Sequence, residues 1–319
     1  MNADGTRERA VVKTATLEAS VIGRKGVFFP LLKSLRLHQW AKNLLIFIPL
    51  VLAGKFHNAD AWTMCVLGFV AFGFLASSTY LVNDLRDIPF DRLHWSKRAR
   101  PLANGDLPMV PALTAIALGA LISLGIGASI DRGAVLILLA YGALTLAYSL
   151  QLKRVPMLDV FVLAVLFTLR LVFGIHLAKV APSAWLLVFS MFIFISLSLG
   201  KRYTEVGRAT ALGREWIDGR GYSAKDGPLL IGLGLATGMG AVLIMVLYLL
   251  HEAFSAAFYK SPLLLWALPA VLFLWLGHYW LVAGRDLLDD DPVMFTVRDK
   301  TSLGLGAAMV VVFVSAWQL

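Results

Sequence analysis

The stretch Tyr80-Leu-Val-Asn83-Asp84-Leu-Arg86-Asp87-Ile-Pro-Phe-Asp91-Arg92 gathers one amide and three carboxylates. Asn83, Asp87 and Asp91 recur at every fourth residue, so on a helix they share one face, with Asp84 beside it. Like charges at that spacing repel. A divalent cation reverses the sign of the interaction, and donors that are all oxygen suit magnesium, which commonly joins carboxylates to substrate phosphates. Asp84, Asp87 and Asp91 are therefore the candidate metal ligands, and Asn83 completes the candidate catalytic set. The competing reading is a solvated polar loop that caps two helices. Position argues against it, because these acids continue an apolar run without a break, where ionisable groups are costly and functional by default. Pro89 disturbs regular helix geometry, which leaves the Asp87–Asp91 spacing open.

Cations follow at once: Arg92, Lys97, Arg98 and Arg100. They could simply hold the loop on the cytoplasmic side, or they could take phosphate oxygens, for which arginine has a matching fork. Lys97 and Arg100 are the stronger candidates for contact, and Arg86 joins them within the motif. Further along, Tyr148, Lys153 and Asp159 bracket a short polar break. Asp159 either caps the helix that follows Pro156 or belongs to the site. Arg170 lies about three turns deeper, where an arginine must meet a partner or a polar cavity. Lys201, Arg202, Tyr203 and Glu205 end another apolar run, and the two cations could hold a second anionic substrate. Lys42 and Asn43 stand at the inner end of the first run, beside Trp40, which fits an aromatic belt, and His38, an interfacial residue. The acidic run Asp286, Asp289, Asp290, Asp291 reads by default as loop closure and helix capping. Cys65, the single cysteine, is a small apolar side chain and excludes an intrachain disulfide.

The elements that must position these groups follow from composition. Of 319 residues 59% are hydrophobic and only 15% charged, against about 25% charge in a soluble domain. No soluble core of this size hides so much apolar surface. Apolar runs fall at 40–54, 61–82, 109–130, 133–152, 157–178, 183–200, 227–250, 262–284 and 301–318. Most reach the roughly 17–25 residues that cross a bilayer as helix. Helix is forced, since a lipid-facing segment must satisfy its own backbone and strict strand alternation is lacking. The expectation is an all-α polytopic membrane protein of about nine helices.

Charge placement orients it. With the N-terminus inside, the inner segments hold 24 lysines and arginines and the outer loops only Lys55, Arg132, Lys179 and Lys260. That asymmetry predicts a multi-pass protein of the cytoplasmic membrane, N-terminus inside, C-terminus outside, with its functional loops facing the cytoplasm. The two longest connections, 83–108 and 201–226, are both inside, where long connections often carry function. Residues 1–35 read as a cytoplasmic tail, partly disordered and without the features of a signal peptide. Residues 36–319 read as one transmembrane catalytic domain. The net charge of +9 then points to anionic lipids and a phosphorylated substrate rather than to nucleic acid. A homo-oligomer stays open.

These motifs resemble the UbiA superfamily of intramembrane prenyltransferases. Its first acidic motif, N-D-x-x-D-x-x-x-D, is met by Asn83, Asp84, Asp87 and Asp91. The nine-helix topology with inner active-site loops is similar too. Members that prenylate aromatic rings carry a second motif, D-x-x-x-D, where this chain has Lys201-Arg202-Tyr203-Thr204-Glu205. That departure, with Arg36-Leu-His-Gln-Trp40-Ala-Lys42-Asn43 and Lys97-Arg-Ala-Arg100-Pro101-Leu, is similar to the polyprenyl-phosphate (decaprenyl-phosphate) phosphoribosyltransferase branch. The resemblance implies a UbiA-like bundle with cytoplasmic cap loops. It implies phosphoribosyl diphosphate as donor, a membrane polyprenyl phosphate as acceptor, magnesium as cofactor and diphosphate as leaving group, in cell-envelope arabinan precursor synthesis. Two rivals remain: prenyl transfer from a polyprenyl diphosphate to an aromatic acceptor, as in quinone biosynthesis, and a transport or lipid-binding protein without catalysis.

Overall fold

The computed structural model describes residues 26–93, 97–217, 219–288 and 295–319. Among the described residues ten α-helices follow one another: α1 (Phe28–Ser34), α2 (Ile48–Leu52), α3 (Ala59–Leu93), α4 (Met109–Ile130), α5 (Arg132–Leu150), α6 (Leu158–Ala178), α7 (Ala184–Ala211), α8 (Gly227–His251), α9 (Ala267–Gly284) and α10 (Lys300–Gln318). Among the described residues, eight helices, α3 to α10 with their short 3-10 extensions, are long and apolar enough to cross a membrane. The one strand-like pairing described is an isolated bridge between Trp216 and Ser223. The chain is an all-α polytopic membrane protein.

The first expected span, 40–54, takes another form: a 3-10 helix over Leu37–Phe47 and then the short α2. Rising about 2.0 Å per residue in the first part and about 1.5 Å in the second, such a segment, if straight, still covers roughly the 30 Å of a hydrocarbon layer. Helices α4 and α6 begin and end within a residue of the apolar runs. Helices α3 and α7 do not: they continue past the expected ends at 82 and 200 to Leu93 and Ala211. Hydropathy marks where lipid stops, whereas backbone hydrogen bonding carries a helix on into water. The segments 83–108 and 201–226 are therefore part helix rather than loops throughout. Pro89 lies inside α3. It deprives the Leu85 carbonyl of its regular donor, yet the helix persists one turn beyond.

Helix starts are fixed by local chemistry. Asp131 accepts the Ala134 N–H at 2.7 Å, Ser183 that of Leu186 at 3.0 Å and Asp299 that of Ser302 at 2.7 Å. Each satisfies an amide that a helix start leaves without an intrahelical partner. Asp286, first of the acidic run, adopts a positive φ of 56° just after α9. Asp289, Asp290 and Asp291 lie outside the described residues.

The chain divides into two compact units, residues 1–38 with 74–122 and residues 39–73 with 123–319. In the first, Leu81, Leu102, Leu107 and Ala112 form a buried core backed by Leu31, Leu35 and Leu85. In the second, α7 packs between α6 and α8, and α9 against α10. Small residues and polar cross-links hold these helices, as membrane packing favours. A side chain at Gly174 would collide with the Ile46 backbone, so only glycine lets α6 lie this close to the 3-10 segment. Ser196 donates to the Gly234 carbonyl at 2.7 Å and accepts from the Trp280 indole at 3.1 Å.

Candidate active site

In the first unit, the end of α3 presents the acidic motif. Asp84 and Asp91 are buried, while Asn83 and Asp87 are half-buried and Arg86 is exposed. One guanidinium nitrogen of Arg100 reaches both buried acids, at 3.0 Å from Asp84 Oδ1 and 2.7 Å from Asp91 Oδ2. These acids are seven residues apart, two helical turns, and so lie almost in line along the helix. Arg100 thus joins 84 and 91, with 83 and 87 beside them on the same stretch of helix. Arg36 adds a second cation, its Nη2 at 2.6 and 2.7 Å from the two oxygens of Asp84. The segment carrying Arg100 is anchored by buried Leu102, Ala103 and Leu107 and by Arg92, which donates to the Ala103 carbonyl at 3.0 Å. Lys97 opens a 3-10 turn, Lys97–Ala99, in the same segment.

No three Asp, Glu, His or Cys side chains converge as a ready metal cage among the described residues. The donor chemistry still fits magnesium. Asp84 and Asp91 come together on one nitrogen, and magnesium takes only one or two carboxylates when substrate phosphates complete its shell.

In the second unit, Asp159 is the centre of a buried network. It accepts from Arg202 Nε at 2.7 Å and from the Tyr222 hydroxyl at 2.6 Å. Arg202 also binds Glu205 and donates to the Tyr148 hydroxyl at 3.4 Å. Arg220 donates to that same hydroxyl at 2.9 Å and to the Lys153 carbonyl at 3.3 Å. The start of α6 has no side-chain cap, so the Asp159 carboxylate serves this network instead of capping. Burial, and then the bond to Asp159, push the Tyr222 phenol above its ordinary value. Lys201 is half-buried, its ammonium 4.0 Å from Glu205, and Tyr203 lies 6.4 Å from the Trp280 ring. Three cations (Lys201, Arg202, Arg220) face two carboxylates (Asp159, Glu205), so this group is net positive.

Arg170, deeper in α6, is also buried. It donates to Asn43 Oδ1 at 3.0 Å, to the Leu166 carbonyl at 2.6 Å and to the Tyr141 hydroxyl at 3.0 Å. Its guanidinium stands 5.0 to 5.3 Å from the rings of Tyr141, Phe72 and Phe167. Neutral acceptors and ring faces thus hold the charge. The Lys42 ammonium lies 5.9 Å over the Phe167 ring. Asn43 and Arg170 are brought together as partners of each other.

Reading the sequence missed Arg36, Arg220, Tyr222 and Tyr141. Arg220-Gly-Tyr222 left a trace, a cation and an aromatic beside glycine in a long polar connection, and Arg36 stood in a quoted motif without a role of its own; the parts that Arg36 and Tyr141 play become visible only through contacts distant in sequence.

The UbiA prenyltransferase family profile matches residues 44–298. The chain is 42% identical over 285 residues to the Sinorhizobium fredii protein y4nM, covering 89% of this chain and 55% of that one, so it spans about half the length of that relative. It is 31% identical to Nodulation protein NoeC of Azorhizobium caulinodans over 90% of this chain and 93% of that one. It is 35% identical to the decaprenyl-phosphate phosphoribosyltransferase of Mycolicibacterium smegmatis, over 59% of this chain and 61% of that one. Its fold is similar to a UbiA homologue from Archaeoglobus fulgidus solved with GPP and magnesium, with TM-score 0.66 at 15% identity over 90% of this chain and 98% of that one.

Proposed function

This chain belongs to the UbiA prenyltransferase family, and we propose that it transfers the 5-phosphoribosyl group of phosphoribosyl diphosphate to a membrane polyprenyl phosphate. The observation that carries the reading is the contrast between its two polar groups. One is an acidic motif at the end of α3, suited to a metal-bound diphosphate. The other is the net-positive group around Lys201 and Arg202, at a position where ring-prenylating members carry acids. The name of the Mycolicibacterium smegmatis relative supports phosphoribosyl transfer to a polyprenyl phosphate.

In the proposed reaction the bond between ribose C1 and the diphosphate oxygen breaks, and its electron pair leaves with diphosphate. A lipid phosphate oxygen forms the new bond to C1. Nothing is oxidised or reduced, and the nucleophile is already an anion, so the protein needs no strong base. Asp84 and Asp91, with Asp87 beside them, would hold magnesium, which when bound would supply charge neutralisation for the leaving diphosphate. Arg100 and Lys97 orient phosphate oxygens. Lys201, with Lys153 in the same unit, offsets the acceptor's charge, while buried Arg202 fixes the helix from which Lys201 projects. Positioning and electrostatics supply the catalysis. The product, a lipid-linked pentose phosphate, suits a later glycan-building step in the cell envelope.

The test is purified full-length protein with magnesium, labelled phosphoribosyl diphosphate and a panel of polyprenyl phosphates of different lengths. Label should move to lipid as diphosphate appears. Inert phosphoribosyl diphosphate, together with prenylation of an aromatic ring by a prenyl diphosphate, would replace this reading with prenyl transfer.

A further inference from the structure

Arg36 is placed with unusual care for a residue between helices. Its φ is +51°, one of four non-glycine residues with positive φ among those described, a conformation that costs an L-residue about 1 kcal/mol or more. The surroundings hold it there. The preceding carbonyl, Leu35, accepts from the Ser77 hydroxyl at 2.7 Å, and the Arg36 N–H donates to the Lys33 carbonyl at 3.3 Å. Its guanidinium stands 5.3 Å from the Tyr80 ring, one helical turn before Asp84 on α3. Nη2 alone makes both bonds to Asp84. Nε and Nη1 make no hydrogen bond to the described residues, and the side chain remains 23% exposed while that of Asp84 is 4% exposed. One side of a planar fork is thus keyed to the acidic motif, and the other is left for a second acceptor. Guanidinium geometry matches phosphate oxygens in this role.

We propose that Arg36 is a diphosphate ligand that couples the metal to the donor: it holds Asp84 with one nitrogen and offers Nε and Nη1 to a phosphate. The proposal rests on the reading of the acidic motif given above and extends it to a residue outside that motif. Its physical consequence is a coupling of defined sign. With no phosphate present, the positive charge of Arg36 on Asp84 opposes a dication approaching the same carboxylate. With diphosphate present, metal and guanidinium are both neutralised by one anion. Metal and diphosphate must then each raise the other's affinity, reciprocally, and Arg36 is a source of that coupling.

The test uses the full chain in lipid nanodiscs, with manganese as the metal probe, followed by its resonance signal, and inorganic diphosphate as the anion. Asn tolerates positive φ, so Arg36→Asn removes the guanidinium with little backbone cost. This variant should bind manganese alone more tightly than wild type, about threefold or more, yet bind diphosphate with manganese about tenfold more weakly, the scale of one lost charge-assisted bond. Arg36→Lys, which keeps the charge and loses the fork, should keep wild-type manganese binding while still weakening diphosphate. A folded Arg36→Asn protein that binds manganese alone no more tightly than wild type would overturn the coupling. Wild-type diphosphate affinity in either variant would overturn the phosphate contact, and Arg36→Lys serves for that arm if Arg36→Asn does not fold. Phosphoribosyl diphosphate and a prenyl diphosphate run as separate arms. Weakening of either one supports the role of Arg36, and which one weakens bears on the proposed donor alone.

Discussion

Arg202 and Asp159, 43 residues apart in the chain, meet at 2.7 Å with side chains 1% and 0% exposed. A pair this buried leaves an uncompensated charge when one partner is removed, which costs about 3–5 kcal/mol. Arg202→Ala should therefore lower the melting temperature sharply, and Asp159→Asn should do so too, with strong coupling in the double variant. Lys201→Ala, by contrast, should melt near wild type and lose use of the lipid phosphate while keeping diphosphate binding. Thermal melts set beside separate donor-binding and product assays distinguish the two residues. A stable Arg202→Ala protein with a defect confined to the acceptor would return Arg202 to a direct role.

Asp87 is half-buried on the exit turn of α3, so Asp87→Asn should leave the fold nearly intact. As a proposed metal ligand its loss should reduce kcat/KM on the order of a hundredfold, and EDTA should abolish turnover until magnesium is restored. Near-native activity in the variant, or in EDTA, would remove Asp87 from the metal site.

Asp131 supplies a measurable pH effect. The Ala134 amide, and then His176, hold its carboxyl below the ordinary value of 3.8. Its folded-state pKa is thus lower than its unfolded one. The stability this gives is present above the unfolded value and disappears as pH falls through the folded one. Melting of wild type between pH 6 and pH 3 should show a decline at the acid end that is shallower in Asp131→Asn, which keeps a capping oxygen but does not titrate. Asp131→Ala, losing the cap, should be less stable throughout by about 0.5–2 kcal/mol. Parallel pH profiles for all three proteins would count against this assignment.

The charge asymmetry of the loops predicts sidedness. In a background lacking Cys65, Glu215→Cys should react with an impermeant maleimide only after the cells are opened. Lys260→Cys should react in intact cells. The reverse pattern, or labelling of both from outside, would discard the inferred orientation.

The sequence by itself determined eight of the nine expected spans and the acidic motif, because both are local. An apolar run long enough for lipid must be helical, and helical spacing fixes which residues share a face. It also supplied the contrast between Asp87 and Asp91 on one segment and Lys201 and Arg202 on another. Hydropathy could not say that α3 and α7 continue beyond the apolar layer, since water does not end a helix whose own hydrogen bonds are intact. Tertiary structure alone decided how the charges are shared. Arg100 takes Asp84 and Asp91 together, Arg36 reaches Asp84 across 48 residues, and Arg202 is sealed against Asp159. Such pairings depend on distances of a few ångströms between segments far apart in the chain, because Coulomb and hydrogen-bond energies fall off over that range. One-dimensional spacing carries no record of them.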